Sequence, residues 1–263
     1  MNKLVRPSVV LCDLDGVVWL AHQPIEGSVE AIARLRAEGI RVVFVTNNSF
    51  STYAEQVQAM SNIGVEAEGD IVTSAMSAAT AITPGSRVLV CGGLGLIEEV
   101  RHAGAEVVVA YEEPMATGVF DAVVVGFHRQ FDFQVLTDAL TAIRAGARLI
   151  GSNDDPTYPT PNGPIPGGGS ILAAIEKASD VRAVVTGKPN LPMAGLVLDL
   201  CAGVEATAMV MVGDRPDTDG AFAVTLGAQY ALVMSGVTHS SEGVLADIVE
   251  PDLAAVAAHL LRR

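Results

Sequence analysis

The sequence is poor in positive charge and has no long apolar run. It carries 16 Lys and Arg against 30 Asp and Glu in 263 residues, a formal net charge of -14. Because this charge repels phosphate backbones and anionic bilayers at long range, we expect neither nucleic acid nor a membrane as a partner. No run approaches the roughly 18 apolar residues of a membrane span. The first apolar run, residues 9–12, ends at Asp13, so it is far shorter than the apolar core of a signal peptide.

Cysteine is also scarce. Cys12, Cys91 and Cys201 are odd in number and widely spaced, and each adjoins an apolar run. We therefore expect buried free thiols, which are typical of a reducing compartment. Because the sequence also shows no signal-peptide pattern and no run long enough for a membrane span, we predict a cytoplasmic protein. A small anionic ligand would have to be captured there by local positive charge, such as a bound cation with one or two Lys or Arg side chains.

What the sequence does contain is a regular alternation of short β-branched runs with helical patterns. Residues 8–12 predict a strand, residues 28–38 a helix that stops at Gly39, and residues 41–45 a second strand. Later core strands are predicted at residues 183–185 and 208–212. This order is typical of parallel βαβ units, so we predict an α/β protein built on a Rossmann-like parallel sheet.

A long segment with its own alternation separates the second and third of these strands. Strands are predicted near residues 87–91, 106–110, 122–125 and 148–150, and helices near residues 95–101, 134–144 and 170–178. Pro84-Gly85 marks the entrance, and a Pro- and Gly-rich stretch at residues 156–169 marks the return. We predict a discontinuous core, residues 1–83 and 183–263, with an inserted α/β module at residues 84–182.

All four predicted core strands end in polar residues. The segments that follow them are Asp13-Leu14-Asp15-Gly16, Thr46-Asn47-Asn48-Ser49, Thr186-Gly187-Lys188-Pro189 and Gly213-Asp214-Arg215-Pro216-Asp217-Thr218-Asp219. Singly, each is typical of a turn or a helix cap. Open parallel sheets bind ligands at the carboxyl ends of their strands, however, so the four segments together predict one site.

The chemistry of this set is coherent. Three carboxylates at one rim would repel one another unless a cation lay among them, and oxygen donors favour Mg²⁺. Asp13 and Asp214 are the natural side-chain ligands, while Lys188 and the Thr46 hydroxyl could hold a phosphoryl group. Of the pair Asp13 and Asp15, one carboxylate could attack phosphorus and the other could donate a proton to the leaving oxygen and later activate water.

These segments resemble the four motifs of the haloacid dehalogenase superfamily, here D-L-D-G-V-V-W, V-T-N-N-S, G-K-P and G-D-R-P-D-T-D. The resemblance is closest to the NagD-like or p-nitrophenylphosphatase-like branch, whose members carry a large α/β cap between the second and third motifs. It implies Mg²⁺-dependent hydrolysis of a small phosphate monoester through an aspartyl-phosphate intermediate.

The resemblance also assigns roles to the acidic residues and the lysine. It makes Asp13 the nucleophile and a metal ligand. Asp15 becomes the acid and base and binds the metal through its backbone carbonyl. Asp214 binds the metal, and Lys188 stabilises both the nucleophile and the phosphate. Asp219 supports the site either by contacting the metal ligands or through a metal-bound water.

Phosphate and substrate contacts follow from the same resemblance. Thr46 and Asn47 would hold the phosphoryl oxygens, and Gly16 would permit the turn that brings the backbone close. In the inserted module, S-N-D-D-P-T-Y-P resembles the branch and places the substrate-facing positions at Asn153, Asp155 and Tyr158. Candidate substrates are glycerol phosphate, phosphoglycolate, nucleotides, pyridoxal phosphate and sugar phosphates, and a homodimer through the cap is a further expectation.

Three other functions are compatible with parts of this pattern. A receiver-like signalling module also combines acids, Thr, Lys and Mg²⁺, but it accepts the phosphoryl group on an Asp that ends a later strand and has about half this length. A carbon–halogen hydrolase of the same superfamily needs neither the second Asp of the first motif nor a metal. A phosphotransferase of the superfamily would pass the phosphoryl group to a sugar instead of to water.

Overall fold

The computed structural model describes residues 6–112, 118–158, 160 and 163–262. Its strands are β1 (Val9–Cys12), β2 (Trp19–Leu20), β3 (Gln23–Pro24), β4 (Arg41–Thr46), β5 (Ile71–Thr73), β6 (Arg87–Cys91), β7 (Glu106–Val109), β8 (Ala122–Val125), β9 (Arg148–Gly151), β10 (Thr157–Tyr158), β11 (Ile165–Pro166), β12 (Val184–Val185), β13 (Met209–Gly213), β14 (Gln229–Val233) and β15 (Ile248–Glu250). Its α-helices are α1 (Ser28–Ala37), α2 (Tyr53–Asn62), α3 (Ser74–Ala79), α4 (Leu94–His102), α5 (Phe133–Arg144), α6 (Gly168–Ser179), α7 (Leu191–Leu200), α8 (Ala221–Leu226) and α9 (Leu253–Leu260).

The described residues fall into two compact units. The first comprises those of the segments Met1–Thr46, Gln56–Val72 and Lys188–Arg263, and the second those of Asn47–Glu55 and Thr73–Gly187. No helix in the described ranges is both long and apolar enough to cross a bilayer. Cys12, Cys91 and Cys201 are free and buried, which confirms the expectation for the thiols.

The first unit is built around a six-stranded sheet in the order β15-β14-β13-β1-β4-β5. All four residues of β1 are buried, as expected for a central strand of a parallel sheet covered on both faces. On one face, Leu11 and Val43 pack with Val197 of α7 and Phe222 of α8. In register, Cys12 lies opposite both Val212 and Phe44, so β1, β13 and β4 end at the same edge of the sheet.

The second unit has its own parallel sheet in the order β12-β9-β8-β6-β7. Alternate residues of β6 enter different cores. Leu89 packs in a cluster with residues of α5 and α6, and Val90 packs in a cluster with residues of α3 and α4. This unit is therefore a sheet with helices on both faces, and it has cores of its own.

Most of the predicted elements are confirmed within a residue or two, but the sheet predicted for the third core strand is wrong. The prediction starts the returning core at residue 183, whereas β12 pairs with β9 through Val184 and Ile150, and the second unit extends to Gly187. Two further segments, Asn47–Glu55 and residues 73–83, also lie in the second unit although they precede the predicted module. A short apolar triplet carries no signal for which of two parallel sheets it joins, because its composition suits either one.

Candidate active site

The turn after β1 brings the first motif against Asp214. Gly16 has a φ of 84°, in the left-handed region that favours glycine, and its N–H donates to the carbonyl of Trp19 at 2.8 Å. A Cβ atom on Gly16 would lie 2.6 Å from Oδ2 of Asp214. Both the backbone conformation and the lack of space therefore require glycine at this position.

A buried ammonium group lies between two carboxylates of the first unit. Nζ of Lys188 is 2.9 Å from Oδ1 of Asp13 and 2.7 Å from Oδ1 of Asp219, and Lys188 is 1% exposed. Burial alone would lower the pKa of Lys188, but the charges and hydrogen bonds of Asp13 and Asp219 outweigh it and raise that pKa. The lysine therefore stays charged and offsets part of the negative charge of these two carboxylates.

The carboxylates of Asp13, Asp214 and Asp219 form a cluster. Each offers an oxygen, and these oxygens lie within 4.8 Å of one another. Burial, followed by the charge of Asp13, raises the pKa of Asp214 to about 6. Burial and the charges of Asp13 and Asp214 raise the pKa of Asp15 to about 7. The negative charges of these carboxylates repel one another, and a divalent cation bound among them would reduce that repulsion.

The individual oxygens differ in what they can bind. Oδ2 of Asp214 accepts the N–H of Val237 at 2.5 Å, whereas its Oδ1 is buried and has no hydrogen-bond partner among the described residues. In Asp219, Oδ1 accepts from Lys188 and Oδ2 from the N–H of Arg215 at 3.1 Å. Oδ1 of Asp214 is thus suited to bind a metal, whereas both oxygens of Asp219 already accept hydrogen bonds, one of them from Lys188. A divalent cation fits this donor set.

The second motif starts at the end of β4. Thr46 is buried as the last residue of that strand, and Asn47 is the first residue of the second unit. The carbonyl of Asn47 accepts the hydroxyl of Ser74 at 2.6 Å and the side-chain amide of Asn153 at 2.8 Å. Oδ1 of Asn48 accepts the backbone N–H groups of the two residues that follow Ser49, which closes a tight turn.

Two residues predicted to face the substrate, Asn153 and Tyr158, make contacts within the second unit. Asn153 is buried, and besides donating to Asn47 it accepts the N–H of Asp155 at 3.2 Å. Tyr158 receives a hydrogen bond from the Asn48 amide at 3.3 Å and stacks on Phe127 with ring centroids 4.9 Å apart. The structure therefore groups Asn153 and Tyr158 with the segment after Thr46, and their contact with a substrate stays a prediction.

One loop near the acidic cluster has no counterpart in the sequence prediction. After β14, the hydroxyl of Ser235 donates to the carbonyl of Gly16 at 2.6 Å, and Val237 supplies the N–H that binds Asp214. The segment Met234-Ser235-Gly236-Val237 has no charged side chain, and it acts through a hydroxyl and a backbone N–H. Its sequence resembles an ordinary turn, so only the folded structure reveals it.

Family profiles match both ends of the chain. A profile described as haloacid dehalogenase-like hydrolase matches residues 10–106, and one described as HAD-hydrolase-like matches residues 185–261. Among curated proteins, the chain is 37% identical over 245 residues to the D-glycerol 3-phosphate phosphatase of Mycobacterium tuberculosis. That match covers 91% of this chain but 66% of the relative, so the chain spans slightly less than two thirds of the relative's length.

Solved structures of phosphatases share the fold over almost the whole chain. A p-nitrophenyl phosphatase from Archaeoglobus fulgidus is 32% identical with a TM-score of 0.86, and the match covers 97% of this chain and all of that one. A glycerol phosphate phosphatase of Mycobacterium tuberculosis in complex with magnesium is 32% identical with a TM-score of 0.83, over 95% and 76% of the two chains. The chain therefore belongs to the haloacid dehalogenase-like hydrolase family, as its motifs predicted.

Proposed function

We propose that this protein is a Mg²⁺-dependent phosphatase that hydrolyses a small phosphate monoester through an aspartyl-phosphate intermediate. The observation that carries this proposal is the buried cluster in which Lys188 lies between Asp13 and Asp219 beside the unpartnered oxygen of Asp214. Membership of the hydrolase family and the phosphatases among its relatives support it.

Side-chain oxygens of Asp13 and Asp214, with the backbone carbonyl of Asp15, would hold the Mg²⁺ ion. When bound, the ion offsets the repulsion between the carboxylates and an incoming phosphate dianion. The donor set, all oxygen and strongly negative, is the kind that Mg²⁺ prefers. The magnesium complex of the mycobacterial relative is consistent with this choice of metal.

Asp13 would attack phosphorus. Lys188 holds one oxygen of this carboxylate at 2.9 Å, which limits its rotation, and the same ammonium can bind a phosphoryl oxygen. As the Asp13–phosphorus bond forms, the bond from phosphorus to the substrate oxygen breaks. Asp15 gives its proton to that oxygen, which leaves as an alcohol.

Asp15 would then act in the reverse sense. It takes a proton from the water that attacks the aspartyl-phosphate, inorganic phosphate leaves, and the carboxylate of Asp13 is restored. Burial is the first cause of the raised pKa of Asp15, and it favours the protonated form that the first step requires. Thr46, Asn47 and the turn at Gly16 would bind the phosphoryl oxygens during both steps.

We propose glycerol phosphate as the first substrate to test, because it is the substrate named for the mycobacterial relative. Phosphoglycolate, nucleoside monophosphates, pyridoxal phosphate and sugar phosphates complete the panel. The second unit would act as the cap that limits substrate size, with Asn153, Asp155 and Tyr158 as its substrate-facing positions. A homodimer formed through that unit is part of the proposal and rests on the family resemblance alone.

The test is a phosphate-release assay over that panel, with Mg²⁺ and with a chelator. Asp13→Asn keeps the size of the side chain but removes the nucleophile, so we expect activity to fall by at least about a thousandfold. Asp217→Asn is the matched control, because Asp217 is exposed on the same motif and should tolerate the change. Equal amounts of released phosphate and alcohol would distinguish hydrolysis from transfer to a sugar.

No metal-dependent release from any substrate would refute the proposed hydrolase activity. Release by Asp13→Asn at the rate of the unaltered protein would instead refute Asp13 as the nucleophile. Treatment with acetyl phosphate tests the signalling alternative, since a phosphoprotein that persists for many turnovers is expected only of a receiver-like module.

A further inference from the structure

We propose that the loop Ser235–Val237, which follows β14, positions the side chain of Asp214 so that Oδ1 binds the metal ion. This inference rests on the proposed function and adds residues to its metal site. None of the three is a metal ligand or a substrate contact in this assignment. They are positioning residues, and they act on the ion only through Asp214.

The first supporting observation is that only one of the two carboxylate oxygens of Asp214 accepts a hydrogen bond. The N–H of Val237 donates to Oδ2 at 2.5 Å, which fixes the rotation of the carboxylate about its Cβ–Cγ bond. Oδ1 is then the remaining oxygen, and it is buried with no hydrogen-bond partner among the described residues. A buried carboxylate oxygen without a partner is costly unless a cation satisfies it.

The second support is the close packing of two glycines around the same carboxylate. A Cβ atom on Gly236 would overlap Oδ2 of Asp214 and would also approach Cα of Gly16 to 2.7 Å. A Cβ atom on Gly16 would lie 2.9 Å from Cα of Gly236. Gly236 has no left-handed φ, in contrast to Gly16, so here the absence of a side chain is a matter of space.

The third support is the tie between this loop and the first motif. The hydroxyl of Ser235 donates to the carbonyl of Gly16 at 2.6 Å. The loop therefore contacts both segments that carry the proposed ligands, the turn after Asp13 and the residue Asp214. Partners of this kind orient metal ligands and commonly change metal affinity about 10–100-fold when they are lost.

The experiment measures metal binding directly, without turnover. Free Mn²⁺ is followed by electron paramagnetic resonance as it is titrated into the protein, and the fold is checked by circular dichroism. For Gly236→Ala we expect the dissociation constant for Mn²⁺ to rise by about tenfold or more, because the methyl group displaces the Asp214 carboxylate. Gly195→Ala is the matched control, since a Cβ atom there meets nothing within 4 Å and its affinity should stay unchanged.

A second pair of variants tests the loop with smaller changes. Ser235→Ala removes the hydroxyl that binds Gly16, and we expect about threefold to tenfold weaker Mn²⁺ binding, which corresponds to the loss of one hydrogen bond. Ser235→Thr keeps the hydroxyl and should restore the affinity. With substrate present, high Mn²⁺ should return kcat of Ser235→Ala toward that of the unaltered protein, which a general loss of structure would not allow.

The outcomes separate this inference from the proposed function. A folded Gly236→Ala that binds Mn²⁺ as tightly as the unaltered protein overturns the inference while the phosphatase proposal stands. Should Gly236→Ala fail to fold, the Ser235 pair decides, and equal affinity of Ser235→Ala and the unaltered protein overturns it. An unaltered protein that neither binds Mn²⁺ nor releases phosphate refutes both.

Discussion

At the scale of single residues, the most unusual feature is an ammonium group that is 1% exposed and paired with two carboxylates. Removing charges from water is expensive, and the attraction between Lys188 and its partners roughly compensates that cost. Without the lysine, Asp13, Asp214 and Asp219 would form a buried group of like charges. Lys188 therefore has a structural role in the metal-free protein as well as its proposed role in binding phosphate.

This leads to a prediction about stability. In a chelator, Lys188→Met leaves the buried carboxyl groups of Asp13 and Asp219 without their cation, so the free energy of unfolding should fall by about 3–5 kcal/mol. Adding Asp219→Asn should recover part of that loss without restoring activity, because it replaces a buried carboxyl group that has lost its lysine partner with a neutral amide. Urea unfolding measures both effects. Lys177→Met, at an exposed position on α6, should change stability by less than about 0.5 kcal/mol, and an equally small loss in Lys188→Met would contradict the argument.

Residues of this kind are the ones that a sequence can predict. Asp13 and Asp214 each follow a buried strand, Lys188 lies shortly after an apolar run at residues 183–185, and the charge of all three is conspicuous beside those runs. Ser235, Val237 and Ser74 could not be found in the same way. They contribute a hydroxyl or a backbone N–H, groups that occur in every turn, so their role depends on which carbonyl or carboxylate the fold brings to them.

At the scale of elements, the segment Asn47–Glu55, which follows β4, belongs to the second unit and makes hydrogen bonds with later parts of it. The N–H of Gly95 donates to the carbonyl of Phe50 at 2.9 Å, and the hydroxyl groups of Ser49 and Ser152 lie 2.9 Å apart. In the second sheet the chain leaves β6 toward β7 on one side and returns to β8 on the other. Such a switch point is where open α/β sheets commonly bind a ligand. Here the segment Asn47–Glu55 packs against the residues that follow both strands, since a Cβ atom on Gly126 would lie 2.6 Å from Oγ of Ser49.

The same segment explains why domain boundaries were hard to predict. Asn47–Glu55 has the composition of an ordinary loop with a helix start, and its membership of the second unit follows from contacts with residues about a hundred positions later in the chain. The strand β12 presents the same difficulty. Strand and helix identities come from local patterns, whereas assignment to one of two similar sheets depends on long-range packing.

Asn153 is the residue through which this arrangement can be tested. Asn153→Ala removes the amide that holds the carbonyl of Asn47, so we expect the free energy of unfolding to fall by about 1–3 kcal/mol. Because Asn47 adjoins Thr46 in the proposed phosphate site, kcat should fall as well. Steady-state kinetics and urea unfolding of Asn153→Ala are compared with those of Asp154→Ala, an exposed neighbour that should change little. Unchanged kcat in Asn153→Ala would exclude this role for the amide.

At the scale of the whole molecule, each unit has its own hydrophobic core, and the chain passes from one unit to the other several times. Two of these passages, at residues 46–47 and 187–188, adjoin Thr46 and Lys188. The acidic cluster lies entirely in the first unit, since Asp13, Asp214 and Asp219 all belong to it. Metal binding should therefore stabilise the first unit directly, and a probe confined to that unit can detect it.

Trp19 is such a probe, because it is the single tryptophan of the sequence, is 1% exposed and belongs to the first unit. A ligand at about a hundred times its dissociation constant stabilises the folded state by about 2.7 kcal/mol. For a unit of this size we expect Mg²⁺ to raise the midpoint of thermal unfolding, followed by Trp19 fluorescence, by about 5–10 °C.

Asp214→Asn should abolish the shift, whereas Asp217→Asn should retain it. Far-UV circular dichroism reports both units, so a component that does not move with Mg²⁺ is expected there. If Mg²⁺ left the fluorescence midpoint unchanged, the acidic cluster would not be the metal site.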